Sequence, residues 1–392
     1  MATSGNFVQL HNHTHYSLLD GASKIPDLVK RAKELNMPAV GITDHGNMHG
    51  AYEMWSTAVK EGVKPIIGIE AYVTPETARQ DQTRVSWDTN WNPDIDPQHR
   101  RRNPNDVSGG GLITHLTMWA ETDEGLVNLM KASTDANLEG RVMRYPRMDK
   151  EILAKYSKGI IASSGCPSGI IQTRLLLGQF DEALRAAGEL QDIFGRDNFY
   201  IEFMDHGLKI EKQVTDGLLD IAKKLNAPLL ATNDSHYVRA EDAGSQDAML
   251  CINSGSTLDE PGRFKFDGTG YYLKSAEEMR ELFKDIPEAC DNTLEIAERC
   301  NVMFDDHEDG AFMPQFDCPE GWDETSLFLK KVEEGLERRY DGHPPIEVLK
   351  QADYECGVIC QMQFCGYFLV VADYINWAKS HGVMVGPSLI HI

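Results

Sequence analysis

Short apolar runs alternate with longer amphipathic stretches from the N-terminus to about residue 240. Gly or Pro residues punctuate the joins, and the runs have the composition of buried strands. Seven such strands are predicted at Phe7–Leu10, Ala39–Thr43, Pro65–Val73, Leu112–Trp119, Gly159–Ser163, Phe199–Phe203 and Pro228–Thr232. Between them, apolar residues recur at three- and four-residue spacing, which predicts amphipathic helices. These helices include Lys24–Asn36, Met48–Glu61, Asp123–Asn137, Phe180–Phe194 and Lys209–Leu225.

Repeated strand–helix units predict an α/β fold with a parallel sheet. Seven units in succession favour a closed, TIM-like barrel over an open sheet. One polar segment, residues 79–111, interrupts this order and contains Arg100, Arg101 and Arg102. It is expected to be an inserted loop, either solvated or contacting phosphate, because clustered Arg residues have sequence-independent affinity for phosphates.

The pattern becomes mainly helical in the last third of the chain. Helices are predicted at Ala276–Phe283, Pro287–Arg299, Glu324–Tyr340 and Ile346–Phe364. An acidic connector follows Phe304. We therefore expect two domains, residues 1–280 and residues 281–392.

Residues able to bind metal ions stand at or near the C-terminal ends of the predicted strands. The candidate ligands are His11, His13, Asp20, His45, Glu70, His115, Cys166, Asp234 and His236. The C-terminal ends of the strands form the face of a barrel where active sites are built. Imidazole, carboxylate and thiolate together suit Zn²⁺, Mn²⁺ or Fe²⁺, and carboxylates can bridge adjacent ions.

Taken singly, several of these residues have a purely structural interpretation. His115 alone would be a satisfied core histidine, and Cys166 alone would be a small buried hydrophobe. Asp44 is interpreted as a hydrogen-bonding neighbour of His45 and His206 as a helix cap, so neither is counted as a ligand. The joint placement at successive strand ends favours one multinuclear metal site.

The net charge and the cysteine content limit the binding partners and the cellular compartment that are expected. The net charge of -23 disfavours long-range attraction to nucleic acid or anionic membranes, so DNA contact requires a local basic patch, metals or further domains. The eight Cys residues form no CxxC pair, and the N-terminus has no signal-peptide pattern, so a reduced, cytoplasmic protein is expected. No Ser/His/Asp triad is evident, and no catalytic residue or organic cofactor is assigned apart from the metal ligands.

The motifs around these ligands resemble the PHP (polymerase and histidinol phosphatase) domain. They are His11-x-His13 with Asp20, Thr43–Gly46, Gly68–Ala71 and Thr232–His236. The segments Leu10–Gly21, Gly165–Gly169, Phe264–Lys274 and Gly366–Trp377 are similar to the N-terminal part of the bacterial DNA polymerase III alpha subunits (C-family DNA polymerases), in their actinobacterial form. The resemblance covers nearly the whole chain.

The resemblance implies a distorted (β/α)7 barrel, residues 1–280, followed by the mainly helical start of a polymerase palm, residues 281–392. It also implies three divalent metals, with Zn²⁺ favoured and Mn²⁺ or Fe²⁺ as alternatives. Glu70 would bridge two ions. The implied sites are His11, His13 and Asp234 for the first ion, His115 and Cys166 for the second, and Asp20, His45 and His236 for the third.

The implied activity is a 3′–5′ exonuclease that proofreads DNA replication, with hydroxide generated from metal-bound water as the nucleophile. The polymerase carboxylates are expected beyond residue 392, so this chain itself should not polymerise DNA. By family resemblance the partners are a DNA 3′ end, the remaining polymerase domains, a sliding clamp and other replicase subunits. The alternatives are a separate phosphoesterase, such as a histidinol-phosphate phosphatase, and a non-catalytic scaffold braced by metals.

Overall fold

Eight β-strands form the sheet of the N-terminal part of the chain. The computed structural model describes residues 6–88, 109–305 and 315–386. The strands are β1 (Ala39–Ile42), β2 (Lys64–Val73), β3 (Thr114–Ala120), β4 (Arg141–Val142), β5 (Tyr145–Met148), β6 (Ile160–Ser163), β7 (Phe199–Phe203) and β8 (Leu229–Ala231). Their order is β4-β5-β2-β3-β6-β7-β8, and β1 pairs in parallel with the N-terminal half of β2.

The first predicted strand closes the ring as a set of backbone bridges. Gln9 pairs with Val40 on one side, and Asn12 pairs with Ser235, beyond the end of β8, on the other. The N–H of His13 donates to the carbonyl of Ser235 at 2.7 Å across this seam. This N-terminal segment and the strands β1, β2, β3, β6, β7 and β8 make up the seven strand positions of the barrel. The predicted distorted (β/α)7 TIM-like architecture with a following helical region is confirmed.

Strand β3 departs from the predicted parallel arrangement. It runs antiparallel to both β2 and β6, whereas β1–β2, β6–β7 and β7–β8 are parallel. The expectation that each ligand lies near the C-terminal end of its strand is therefore wrong for His115, the second residue of β3. Because the strand is reversed, its N-terminal end reaches the same rim as the C-terminal ends of the parallel strands.

Ten α-helices accompany this barrel within residues 6–88 and 109–305. They are α1 (Ile25–Glu34), α2 (Ala51–Glu61), α3 (Asp123–Glu139), α4 (Lys150–Tyr156), α5 (Ile170–Leu176), α6 (Phe180–Phe194), α7 (Lys209–Leu225), α8 (Ala243–Ser254), α9 (Ala276–Leu282) and α10 (Pro287–Arg299). Side-chain caps fix several N-termini, since Thr122 accepts from the N–H of Gly125 and Asp149 from that of Ile152. The helices bury their apolar faces against the outer surface of the strands.

The barrel interior is apolar at one end and polar at the other. Ile66, Trp119, Tyr200 and Leu230 form a buried cluster that α10 closes from below. Alternate residues of a strand share one face, so the same inward faces carry Glu70, Thr117, Glu202 and Thr232 at the opposite end. The apolar floor and the polar rim are thus set by the same two-residue period.

The chain divides into two compact units, Met1–Phe304 and Asp305–Ile392. The first unit extends past the expected boundary at residue 280, because α10 packs on β8. Ile296 of α10 and the next residue after the helix, Cys300, belong to the barrel floor. The assignment of residues 1–280 as a PHP phosphoesterase domain and residues 281–392 as the start of a palm stays a prediction. Of the predicted insertion, residues 89–108, which include the three consecutive arginines, lie outside the described residues.

Three helices make up the described part of the second unit: α11 (Glu324–Arg339), α12 (Ile346–Gln361) and α13 (Cys365–Ser380). Leu327 and Phe328 of α11 pack with Cys365 and Leu369 of α13. No single helix in the described ranges has the length and apolar character needed to cross a membrane. Of the described residues, only α12 and α13 taken as a pair, bent by 114° at their break, have that length and composition.

Candidate metal centre

All nine sequence-predicted ligands gather at the polar rim of the barrel. Three groups of donor atoms lie close enough to hold one ion each: His11, His13 and Glu70; His45, Glu70 and His115; and His13, His45 and His236. Shared members connect the three groups. The donor residues come from six parts of the chain: the N-terminal segment, the strands β2 and β3, and the loops after β1, β6 and β8. The site therefore exists only in the folded barrel.

Glu70 lies at the centre of the cluster and is 1% exposed. Its Oε2 atom lies 2.7 Å from Nδ1 of His45 and 3.1 Å from Nδ1 of His115, and its Oε1 atom lies 3.4 Å from Nε2 of His11. Contact with histidines on both sides is the arrangement expected of a bridging carboxylate. The geometry is consistent with the bridging role that the family resemblance implies.

His11, His13 and Asp234 form one corner. Oδ1 of Asp234 lies 3.1 Å from Nε2 of His13 and 3.4 Å from Nε2 of His11. The two imidazole Nε2 atoms are 3.3 Å apart. Asp234 has a φ of 45°, in the left-handed region that non-glycine residues seldom occupy, and such strain concentrates at functional sites.

Asp20, His45 and His236 form a second corner at the mouth of the site. Oδ2 of Asp20 lies 2.9 Å from Nε2 of His45 and 3.9 Å from Nε2 of His236. The ring of His13 lies between these two histidines, with centroid distances of 4.0 Å to His45 and 4.3 Å to His236. The predicted grouping of Asp20 with His45 and His236 is therefore compatible with the distances.

His115 and Cys166 form the third corner. The Sγ atom of Cys166 lies 3.4 Å from Nδ1 of His115. The loop after β6 carries Cys166, and a backbone bridge between Gly169 and His115 holds that loop against β3. The antiparallel course of β3 is what brings this histidine to the thiol.

A second layer of residues fixes the tautomers of three histidines. Nδ1 of His11 lies 2.7 Å from the carboxylate of Glu202, and Nδ1 of His236 donates to the carbonyl of Asp234 at 2.8 Å. Nδ1 of His13 lies 2.9 Å from the hydroxyl of Ser17, which donates its own proton elsewhere. These acceptors favour a proton on Nδ1 of each ring, which leaves Nε2 as the atom that can coordinate a metal ion.

The sequence analysis missed Glu202 and Ser17. The signal for Glu202 was one carboxylate in the apolar strand Phe199–Phe203. Asp44 is not a ligand but accepts hydrogen bonds from Thr14 and Ser17, so it braces the N-terminal loop. His206 instead pairs with Glu211 and the carbonyl of Asn233.

Burial and mutual charge shift the pKa values of the cluster. Burial, helped by His45 and His236, lowers the pKa of His13 to about 3. Burial acts to raise the pKa of Glu70, but its neighbouring histidines lower it well below the usual value. Burial, with Glu70 and Asp234 nearby, raises the pKa of the Cys166 thiol. A cation would reverse this last effect, because a coordinating thiol is deprotonated.

The residues present fit divalent metals. Both carboxylate oxygens of Glu70, Oδ1 of Asp20 and Oδ1 of Asp234 are buried. Histidine nitrogens lie as close as 2.7 to 3.1 Å to the oxygens of Glu70 and Asp234, but no contact to these four oxygens within the described chain has the geometry of a hydrogen bond. Such groups are costly to bury unpaired, and metal coordination is one of the ways proteins satisfy them. Nitrogen, oxygen and one sulfur donor suit Zn²⁺, and Mn²⁺ or Fe²⁺ are compatible with the nitrogen and oxygen donors.

Two family models match parts of the chain. A family model of the PHP domain matches residues 9–206, and a model of the bacterial DNA polymerase III alpha NTPase domain matches residues 326–388. A proposed metal-dependent phosphoesterase from Bifidobacterium adolescentis is a distant structural likeness, 17% identical, with a TM-score of 0.35, over 71% of this chain and 96% of that one.

Curated relatives extend the match to nearly the whole chain. DNA polymerase III subunit alpha of Mycobacterium tuberculosis is 50% identical over 98% of this chain and 32% of its own length. The subunits of Saccharopolyspora erythraea and Treponema pallidum are 50% and 39% identical over 97% of this chain, covering 32% and 30% of those proteins. The chain thus spans about a third of these relatives. It belongs to the PHP domain family and is similar along almost all of its length to bacterial DNA polymerase III alpha subunits.

Proposed function

We propose that this chain is the N-terminal portion of a DNA polymerase III alpha subunit and that its barrel is a metal-dependent 3′–5′ exonuclease. The observation that carries the proposal is the convergence of eight donor residues around a ninth, the buried carboxylate of Glu70. The nine residues are proposed to hold up to three divalent ions, with Zn²⁺ favoured and Mn²⁺ or Fe²⁺ as alternatives. The substrate would be the terminal phosphodiester of a DNA strand.

Divalent ions bound at such a site can lower the pKa of water to about 7 and neutralise the charge of a phosphate. The chain's own residues supply the positioning. Glu202 and Ser17 hold the rings of His11 and His13 in the tautomer that offers Nε2. The apolar floor below them, with Trp119 at 0% exposure, excludes water from the inner end of the site. No separate protein acid or base is assigned.

The choice of a DNA 3′ end over other phosphate esters rests on the relatives. Their name, DNA polymerase III subunit alpha, identifies proteins of replication, and a DNA end is the phosphodiester that a proofreading activity needs. The further partners proposed are the remaining polymerase domains, a sliding clamp and other replicase subunits, in the cytoplasm. DNA-directed DNA polymerase activity is proposed for the intact subunit only.

The first experiment measures metal content by elemental analysis of the whole chain, purified without chelator or an affinity metal. Two to three equivalents of Zn, Mn or Fe are expected. A primer labelled at its 5′ end should then be shortened from its 3′ end by the wild-type protein and by H343A, whose histidine is exposed on the second unit. The variant H13A should lose both metal and activity.

Three outcomes would contradict the proposal in different ways. Full trimming by H13A would remove the activity from this site. Rapid hydrolysis of small phosphate monoesters such as histidinol phosphate, with no cleavage of DNA, would favour a separate phosphoesterase. Stoichiometric metal with no hydrolysis of any DNA end, and a large loss of thermal stability on chelation, would leave the metals a purely structural role.

A further inference from the structure

A pocket of about 350 Å³ opens beside the outer corner of the metal centre. Its lining includes the ligands Asp20 and His45, the ring of Tyr72, and the side chains of Arg141, Arg144 and Asn253. This volume lies in the range of small-ligand sites, roughly 300–1,000 Å³. The pocket is therefore large enough for part of a nucleotide and shares one wall with the proposed reaction centre.

The two arginines come from the hairpin β4–β5, which the sequence analysis did not predict. Met143 and Arg144 form its two-residue turn, and Met143 has a φ of 55° in the left-handed region that turns of this kind require. The side chains of Arg141 and Arg144 are both exposed. Within the described part of the chain, neither guanidinium forms an ion pair with a carboxylate, although the protein carries a net charge of -23.

Hydrogen bonds of a buried side chain attach the hairpin to the barrel. Arg147 in β5 is fully buried, and its guanidinium donates to the carbonyls of Gly140, Leu112, Arg79 and Asp81 at 2.7 to 3.3 Å. These hydrogen bonds connect the hairpin to the residues just before β3 and to the beginning of the polar segment, residues 79–111. A rigid support reduces the entropic cost of holding a charged group in place for a ligand.

The opposite wall of the pocket is linked to the same hairpin. Asn253 of α8 accepts a hydrogen bond from Nη1 of Arg144 at 2.9 Å and donates to the carbonyl of Leu19 at 3.3 Å. Leu19 directly precedes the ligand Asp20. The neighbouring Leu18 also lines the pocket, is 78% exposed and offers an apolar surface beside the two guanidinium groups. Cationic and apolar groups therefore face the same opening.

We infer that this pocket is a nucleotide-binding subsite in which Arg141 and Arg144 bind a DNA phosphate next to the one being cleaved. The inference rests on the proposed exonuclease function and specifies how it would recognise its substrate. Guanidinium groups form paired hydrogen bonds with phosphate oxygens and keep their charge at any physiological pH. A phosphate here lies beyond Asp20 and His45 and so is distinct from the group held around Glu70. Leu18 would contact the base or sugar of that nucleotide.

The test compares R144Q and the double variant R141Q/R144Q with the matched control R196Q. Arg196 is an exposed arginine in the turn before β7, at the opposite end of the barrel. All four proteins, each loaded with metal, are assayed on a single-stranded deoxyoligonucleotide and on bis(p-nitrophenyl) phosphate, which has no second phosphate. Because Arg141, Arg144 and Arg196 are all exposed, each variant is expected to fold as the wild type does, and thermal melting verifies this.

We expect the substitutions to weaken binding of the oligonucleotide and to leave hydrolysis of bis(p-nitrophenyl) phosphate unchanged. For the oligonucleotide, KM should rise about tenfold or more in R141Q/R144Q, with a smaller change in kcat, since the charge-assisted hydrogen bonds to the second phosphate are lost. Hydrolysis of bis(p-nitrophenyl) phosphate and metal content should stay at the wild-type values. The dependence of binding on salt should also become shallower, because fewer phosphates are neutralised. R196Q should match the wild type in every measurement.

Binding separates failure of this inference from failure of the proposed function. The affinity of the metal-loaded proteins is measured with a fluorescent oligonucleotide whose last linkage is a phosphorothioate. If the wild type cleaves nothing but R141Q/R144Q still binds at least tenfold more weakly than R196Q, the subsite stands and the exonuclease proposal falls. If the wild type cleaves DNA and R141Q/R144Q equals R196Q in KM and affinity, the subsite inference is overturned.

Discussion

Nδ1 of His11 lies 2.7 Å from Oε1 of Glu202, and both side chains are fully buried. The carboxylate of Glu202 also accepts hydrogen bonds from the hydroxyls of Ser163 and Thr232. Side chains from three separate segments of the barrel thus contact the one carboxylate of Glu202. The arrangement holds His11 with Nε2 directed at Glu70 and Asp234, as carboxylate partners of metal-binding histidines do.

Replacing Glu202 by Gln should weaken metal binding by about tenfold to a hundredfold, because the negatively charged acceptor of His11 becomes a neutral amide. Metal affinity is measured by competition with a chromophoric chelator. E295Q is the matched control, since Glu295 is largely exposed on α10 at the far end of the barrel. Wild-type affinity in E202Q would show that His11 is oriented without this carboxylate.

Removal of the metals should lower thermal stability as well as activity. Ions present at a thousandfold above their Kd stabilise the folded state by about 4 kcal/mol. In the metal-free protein the buried oxygens of Glu70 and Asp234 would also lack their partners. The melting temperature is followed by circular dichroism with and without EDTA, and elemental analysis verifies the metal-free state. Identical melting of the two samples would argue against tight metal binding.

Replacing Arg147 by Met should destabilise the first unit by about 3 kcal/mol or more, because buried carbonyls would lose their donor. The free energy of unfolding is measured by urea titration. R141M is the control within the same hairpin, and an exposed position should change stability by less than about 0.5 kcal/mol. Equal stability of the two variants would mean that the hairpin does not depend on the Arg147 contacts.

Lys274 should make stability depend on pH. Its ammonium donates to Oδ1 of Asn233, and burial lowers its pKa to about 8 despite the opposing charges of Glu278, Glu211 and Asp205. An unfolded lysine titrates near 10.4. Between about pH 8 and 10 the unfolded state therefore binds more protons than the folded state, so the contribution of Lys274 to stability rises with pH.

The measurement is the difference in unfolding free energy between the wild type and K274M at pH 7.5 and at pH 9.5. The wild type should gain relative to the variant at the higher pH. This comparison cancels the titration of the other lysines and tyrosines, which both proteins share. A difference that stays constant, or one that falls with rising pH, would contradict a depressed pKa at Lys274.

The identity and spacing of the candidate ligands were readable from the sequence because they follow local rules. A His-x-His pair such as His11 and His13 lies on one face of an extended segment, and hydrophobic periodicity marks the strand that precedes each ligand loop. The helices α6 and α10 begin and end where the spacing of apolar residues and the neighbouring Gly and Pro residues predict. These features depend on residues only a few positions apart.

The tertiary structure decided the direction of β3, the acceptor at Glu202 and the position of Arg144 beside Asp20. Each depends on pairing between segments that are distant in the chain, as between Glu70 and Thr117 or between His11 and Glu202. Strand periodicity is the same for a parallel and an antiparallel strand, so it carries no information on direction. The sequence by itself therefore determined which residues could bind metal, and only the packed barrel determined which atoms meet.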